Sequence, residues 1–118
     1  MKALQVRSKI WLEVDGMPLL GNGRMRLLLG VQRHGSISAA ARELGTSYRK
    51  AWTQLQAMED AAPFPILERR VGGKDGGASQ LTREALALAE CYQALRARVE
   101  RAVDDYFAEC FAEDETPR

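Results

Sequence analysis

Residues 4–14 alternate between apolar and polar. Leu4, Val6, Ser8, Ile10, Leu12 and Val14 take the even positions, and Gln5, Arg7, Lys9, Trp11 and Glu13 the odd ones. A period of two predicts a strand with one buried face, and Trp11 is the exception on its outer side. Asp15-Gly16 and Met17-Pro18 end this strand, and Gly21-Asn22-Gly23 continues the turn chemistry. The period then lengthens. Residues 24–34 read as a short helix with Leu27, Leu28 and Val31 inward, His34 in its last turn and Gly35 as its closing residue. Ser36 has the chemistry of an N-cap, and Ile37, Ala40, Ala41 and Leu44 follow it at i, i+3, i+4 and i+7. Gly45 closes this second helix, and Thr46 or Ser47 caps a third. There Tyr48, Ala51, Trp52, Leu55 and Met58 face inward at the same spacing, until Pro63 and Pro65 stop the run.

Residues 66–71 predict a short strand and residues 79–82 its hairpin partner, joined by a glycine-rich tip at 72–78 that carries Lys74. Residues 83–112 lack Gly and Pro and predict one long helix. Its apolar seam, Ala85, Leu88, Tyr92, Leu95, Val99, Ala102 and Tyr106, alternates steps of three and four, as in a helix packed along another helix. The expected fold is α+β and mainly α. A winged helix-turn-helix with an N-terminal strand and a hairpin wing occupies residues 1–83, a C-terminal dimerisation helix 84–112, and a flexible tail 113–118.

Composition sharpens this picture. A chain of 118 residues is one domain, and 46% hydrophobic with 28% charged residues is ordinary for a globular protein, which excludes intrinsic disorder. The apolar stretch at 27–31 is far too short to span a bilayer, and charges at Lys2, Arg7, Lys9 and Glu13 exclude a signal peptide. A cytoplasmic protein is expected. The net charge of +1 hides an asymmetry. Residues 1–83 hold 13 Lys and Arg against 7 Asp and Glu, whereas 84–118 hold 4 against 9. A basic front of this kind attracts polyanions.

The third helix carries the most informative chemistry. Opposite its apolar side stand Ser47, Arg49, Lys50, Thr53, Gln54 and Ala57. A helix fits the major groove, where Arg and Lys reach guanine and Gln reaches adenine. Ser and Thr hydroxyls, here Ser36, Ser47 and Thr53, can hold phosphate, and Lys74 at the wing tip is a candidate backbone contact. Tyr48 could touch a base or phosphate or close the core, while Trp52 is read as core. Arg69 and Arg70 point to opposite faces of their strand, one toward DNA and the other toward Glu68, Glu59 or Asp60. Neither a Walker-type nor a dinucleotide-type glycine pattern is present. One histidine and two cysteines, Cys91 and Cys110, leave no catalytic triad and no zinc site, so no enzyme activity, metal or cofactor is expected. Two other readings stay open: a dimeric protein-interaction adaptor on the same fold, and a thiol switch through Cys91 and Cys110.

The run Gly35-Ser36-Ile37-Ser38-Ala39-Ala40-Ala41, then Gly45-Thr46-Ser47-Tyr48-Arg49-Lys50-Ala51-Trp52, and then Leu67-Glu68-Arg69, Gly72-Gly73-Lys74-Asp75-Gly76-Gly77-Ala78 and Leu81-Thr82, resembles the N-terminal domain of the ModE family of molybdate-dependent transcriptional regulators. The broader LysR-type winged helix shares the portion from Gly35 to Gly45. The resemblance implies a bacterial homodimeric repressor or activator on a pseudo-palindromic operator. Its third helix (residues 47–57) would enter the major groove, and its wing tip (72–78) would touch the backbone. The long helix would make the dimer through Leu88, Tyr92, Leu95, Val99, Ala102 and Tyr106. The family's molybdate-binding domains do not appear before Arg118. A stand-alone form is therefore expected, with a separate oxyanion-sensing protein as a candidate partner.

Overall fold

The computed structural model describes residues 2–70 and 78–111, apart from the side chains of Arg69 and Arg70. The expectations for Lys74, for the rest of the wing tip at 72–77, for the tail at 113–118 and for the aim of Arg69 and Arg70 lie outside the described residues. The elements run β1 (Leu12–Val14), β2 (Met17–Leu20), α1 (Asn22–His34), α2 (Ile37–Leu44), α3 (Tyr48–Ala61), β3 (Leu67–Arg70), β4 (Ala78–Leu81) and α4 (Arg83–Phe111). No helix among the described residues is long and apolar enough to cross a membrane.

The N-terminal strand differs from the expectation. Only Leu12–Val14 forms a ladder, and its partner is the unexpected strand β2. Asp15 and Gly16, with φ of 50° and 81°, make the two-residue turn, so that Val14 lies opposite Met17. Two successive positive φ angles are what a right-twisted hairpin requires. Pro18, the reason to read Met17-Pro18 as an end, is tolerated because both strands of a two-stranded ribbon are edges. Residues before Leu12 keep the alternation without a ladder: Val6, Ser8 and Ile10 are half-buried, and Gln5, Arg7 and Lys9 are exposed. Their cover is a helix, not a strand. The Tyr92 hydroxyl of α4 donates to the Ile10 carbonyl at 2.9 Å.

The three short helices close around Leu28, Val31, Ile37, Ala40, Ala51, Leu55 and Met58, all buried. The Ser36 hydroxyl accepts from the Ala39 amide at 3.0 Å and caps α2, and the Ser47 hydroxyl accepts from the Lys50 amide at 3.0 Å and caps α3. Between them Gly45, at φ 70°, ends α2 in the left-handed region and turns the chain into α3. At Gly30 an added Cβ would stand 3.2 Å from the Ala40 Cβ, so the absent side chain is what lets α1 and α2 cross so closely.

The wing is tied down by its neighbours. Glu59 Oε1 accepts from the amides of Ile66 and Leu67 at 3.2 and 2.9 Å. β3 and β4 pair antiparallel, with Leu67 opposite Leu81. The Ser79 amide donates to the Gly35 carbonyl at 2.9 Å, fixing β4 to the end of α1. Thr82, expected in the strand, instead starts α4: its hydroxyl donates to the Pro65 carbonyl at 2.7 Å and accepts from the Ala85 amide at 3.1 Å. α4 enters the core through Ala85, Ala89 and Tyr92 and then continues beyond the body, which gives the molecule extents of 71 × 32 × 20 Å. Tyr92 is a correction to the proposed dimer seam. It is 1% exposed and hydrogen-bonded inside its own chain, so it is already used in the monomer's core.

Candidate nucleic-acid interface

α3 buries a narrower stripe than its sequence suggested. Ala51, Leu55 and Met58 fill the core, but Tyr48 is 53% and Trp52 40% exposed. The expectation that Trp52 belongs to the core is therefore corrected, and Tyr48, left open between the core and a DNA contact, lies on the surface. The three buried positions fall within roughly 60° of the helix circumference, whereas Tyr48 and Trp52 stand about 60° and 100° from Ala51. Ala51, Leu55 and Met58 seat the helix on the core and leave the two rings at its rim. A polar pattern can hide an exposed aromatic, because periodicity marks a face without marking where it ends.

Arg49, Lys50, Thr53 and Gln54 are all exposed on the outer side of α3, as the sequence indicated. Two of the candidate residues are already engaged. The Ser36 and Ser47 hydroxyls serve as helix caps, which leaves each O–H free to donate outward. Gln54 Oε1 accepts from Arg24 Nε at 2.7 Å, so its amide N–H groups are what it can offer a base. Arg24 also donates to the Pro18 and Leu19 carbonyls at 2.9 and 3.1 Å. One guanidinium thus holds the end of β2 and the start of α1 against the middle of α3.

Beside α3 lies an open groove of about 1110 Å³, walled by residues 9–11, the start of α1 and the outer face of α3. Lys9, Arg24, Arg26, Arg49 and Lys50 line it, with Glu13 as the acid among the described lining residues. Glu13 accepts from Trp11 Nε1 at 2.7 Å, and Lys9 Nζ lies 5.9 Å from the centre of the Trp11 ring. Lys9 and Arg26 were not among the sequence candidates. The signal for Lys9 was its place on the polar side of the first strand. For Arg26 it was its position two residues past Arg24 at the start of a helix.

On the far side of the motif, Glu43 of α2 bonds the Arg33 guanidinium and lies 3.2 Å from His34 Nε2. The Arg33 hydrogen bond, with a smaller contribution from His34, holds the Glu43 carboxyl below the usual carboxylate range despite some desolvation. This cluster links the end of α1 to α2 at the surface.

Two helices joined by a tight glycine turn, the second with an exposed basic and aromatic face, and a hairpin after it define a winged helix-turn-helix. Residues 23–86 match the bacterial regulatory helix-turn-helix proteins of the lysR family, and the chain belongs to that family. Among curated proteins it is 35% identical over 104 residues to the molybdenum transport protein ModE of Azotobacter vinelandii, covering 88% of this chain and 38% of that protein. It is 44% identical over 79 residues to the transcriptional regulator ModE of Haemophilus influenzae, covering 67% and 31%. To the molybdenum-pterin-binding protein MopB of Rhodobacter capsulatus it is 40% identical over 87 residues, covering 74% and 32%. The chain thus spans about a third of the length of these relatives. Among solved structures it resembles the CbnR_DBD–DNA complex with a TM-score of 0.58 at 25% identity, covering 74% of this chain and 94% of that one. The N-terminal segment and the β1–β2 hairpin, with Lys9 and Trp11, precede the residues of the family match.

Proposed function

We propose that this chain is the DNA-binding part of a cytoplasmic, homodimeric transcriptional regulator whose target genes serve molybdenum transport or metabolism. The observation that supports it most is α3, whose Arg49, Lys50 and Thr53 stand clear of the core beside a basic groove. On this reading α3 lies in the major groove with Arg49 reading a guanine, and Lys50 and Thr53 take bases or phosphates. The exposed rings of Tyr48 and Trp52 lie against thymine methyls or sugars at the rim. The β3–β4 wing follows the adjacent backbone, with Lys74 at its tip. Lys9 and Arg26 hold phosphates on the opposite flank. The molybdenum link is supported by the relatives, and a separate oxyanion-sensing protein is the partner it suggests. The protein acts by binding and not by catalysis.

Gel-shift titrations against DNA upstream of molybdenum-transport genes test the reading. Arg49→Ala is expected to cost about 1–3 kcal/mol on the specific site and little on random DNA. Lys74→Ala is expected to weaken all sequences alike and to reduce the slope of log affinity against log salt by about one. Unchanged operator binding in both variants overturns the assignment.

A further inference from the structure

Arg24 of α1 is half-buried, and its guanidinium is fixed from two sides. Nη1 donates to the carbonyls of Pro18 and Leu19, at the end of a strand whose Leu19 and Leu20 are buried in the core. Nε donates to Gln54 Oε1 at 2.7 Å. A guanidinium carries donors and no acceptor, so the end of the amide turned to it must be the oxygen. Gln54 is itself exposed, one helical turn beyond Lys50, and among the described residues its Nε2 donates to nothing. α3 therefore presents an amide whose orientation is set by a side chain of another helix, with its donor end free.

Resting on the reading of α3 as the helix that enters the major groove, we propose that Gln54 reads a guanine and that Arg24 is the positioning residue that makes it do so. An unheld glutamine suits adenine, donating to N7 and accepting from the N6 amino group through its oxygen. In Gln54 that oxygen is already bonded to a cation, whose charge repels the amino hydrogens of adenine. The free Nε2 finds two acceptors on guanine, O6 and N7, on an edge that carries no donor in the major groove. Thymine offers one acceptor beside a methyl group, and cytosine opposes the amide with a donor of its own. Arg49 and Lys50, exposed on the same side of α3, add to the positive potential that favours the guanine edge. The bond to Arg24 also removes side-chain freedom before DNA arrives, so less is lost on binding. The β1–β2 hairpin, through the two carbonyls that hold Arg24, thereby bears on base choice.

Selection of the full chain on duplexes of random sequence, followed by sequencing of the bound fraction, tests this base pair by base pair. The wild type should prefer guanine about tenfold at one position of each half-site. Gln54→Ala should flatten that position to within about twofold and leave the others as they are. Gln54→Glu keeps an oxygen against Arg24 but turns the free end into an acceptor, so the preferred base should change from guanine to cytosine. Arg24→Met should release the amide and move the preference from guanine toward adenine. Both Gln54 substitutions alter an exposed side chain and should leave the fold intact, which keeps the test decisive if Arg24→Met lowers stability. A wild type that selects no sequence overturns the DNA reading itself. A wild type that selects a site overturns only this inference if Gln54→Ala leaves every position unchanged, or if a folded Arg24→Met keeps the guanine.

Discussion

Tyr92 and Tyr106 are the same residue on the same helix, two heptads apart, yet Tyr92 is 1% exposed and Tyr106 66%. A straight α-helix drifts by about 20° per heptad against a strict seven-residue repeat, so the seam has turned roughly 40° between the two rings. Over the same stretch the helix leaves the body of the domain. Tyr92 therefore points at Ile10 and the core, whereas Tyr106 stands beside Val6 at the wall of a shallow apolar cavity and stays largely exposed. The difference teaches that a heptad pattern states that a face will be buried, but not against what. Here one continuous pattern serves two purposes: the first half seals the chain's own core, and the second presents a surface.

Substitution of each ring is the strongest way to break that comparison. Tyr92→Ala should cost about 3–5 kcal/mol of unfolding free energy, the usual range for removing a buried aromatic. Tyr106→Ala should stay within about 0.5 kcal/mol in solutions dilute enough to hold monomer, because an exposed side chain leaves no cavity. Urea unfolding of the two variants side by side measures both. Equal losses would place Tyr106 in a monomer core and collapse the distinction.

The next effect is on assembly. Val99→Asp with Tyr106→Asp should leave the fold intact, as judged by circular dichroism, and shift sedimentation to the monomer. The proximal pair Ala85 and Ala89, both buried, should not tolerate aspartate at all. A folded double variant that remains dimeric would move the interface elsewhere.

How much of this was legible in the sequence varied with the kind of signal. The caps at Ser36 and Ser47, the glycine turn at Gly45, the wing and the span of α4 follow from local chemistry that acts within a few residues, and they could be read directly. β2 was missed because Pro18 weighed against a strand, although Asp15-Gly16 is a strong hairpin signal. The exposure of Tyr48 and Trp52 was not legible. It depends on how wide a stripe α2 leaves open to α3, which is a tertiary quantity. The basic groove assembles Lys9, Arg24, Arg26 and Lys50 from three separated segments, so no local spacing could announce it.

A smaller effect separates the two tyrosines by a single atom. Tyr92→Phe removes the hydroxyl that donates to the Ile10 carbonyl and should cost about 1 kcal/mol, the typical net value of such a bond. The loss should be local, raising hydrogen exchange in the N-terminal segment before it lowers global stability. Tyr106→Phe should change neither. Equal protection of residues 2–11 in wild type and Tyr92→Phe would mean that apolar packing, and not this hydrogen bond, holds the segment on α4.

The smallest expected effect is on alkaline stability, and its sign follows from the same burial. Desolvation pushes the Tyr92 hydroxyl above its ordinary value, with Arg96 opposing and Glu100 adding to the rise. The unfolded chain therefore loses this proton first, near the ordinary tyrosine value of about 10, and the folded chain loses it later. Above that value the unfolded state binds fewer protons than the folded one, so stability falls as pH rises. The contribution is fully present below pH of about 10 and is lost through the range in which the folded hydroxyl itself ionises. The informative quantity is the difference between the wild type and Tyr92→Phe across an alkaline series. That difference should shrink as pH rises, because ionisation removes the hydrogen bond that the phenylalanine variant already lacks. A difference that stays constant to the alkaline limit would show that the Tyr92 hydroxyl ionises equally well in both states, and hence that the proximal half of α4 is more open to water than its burial implies.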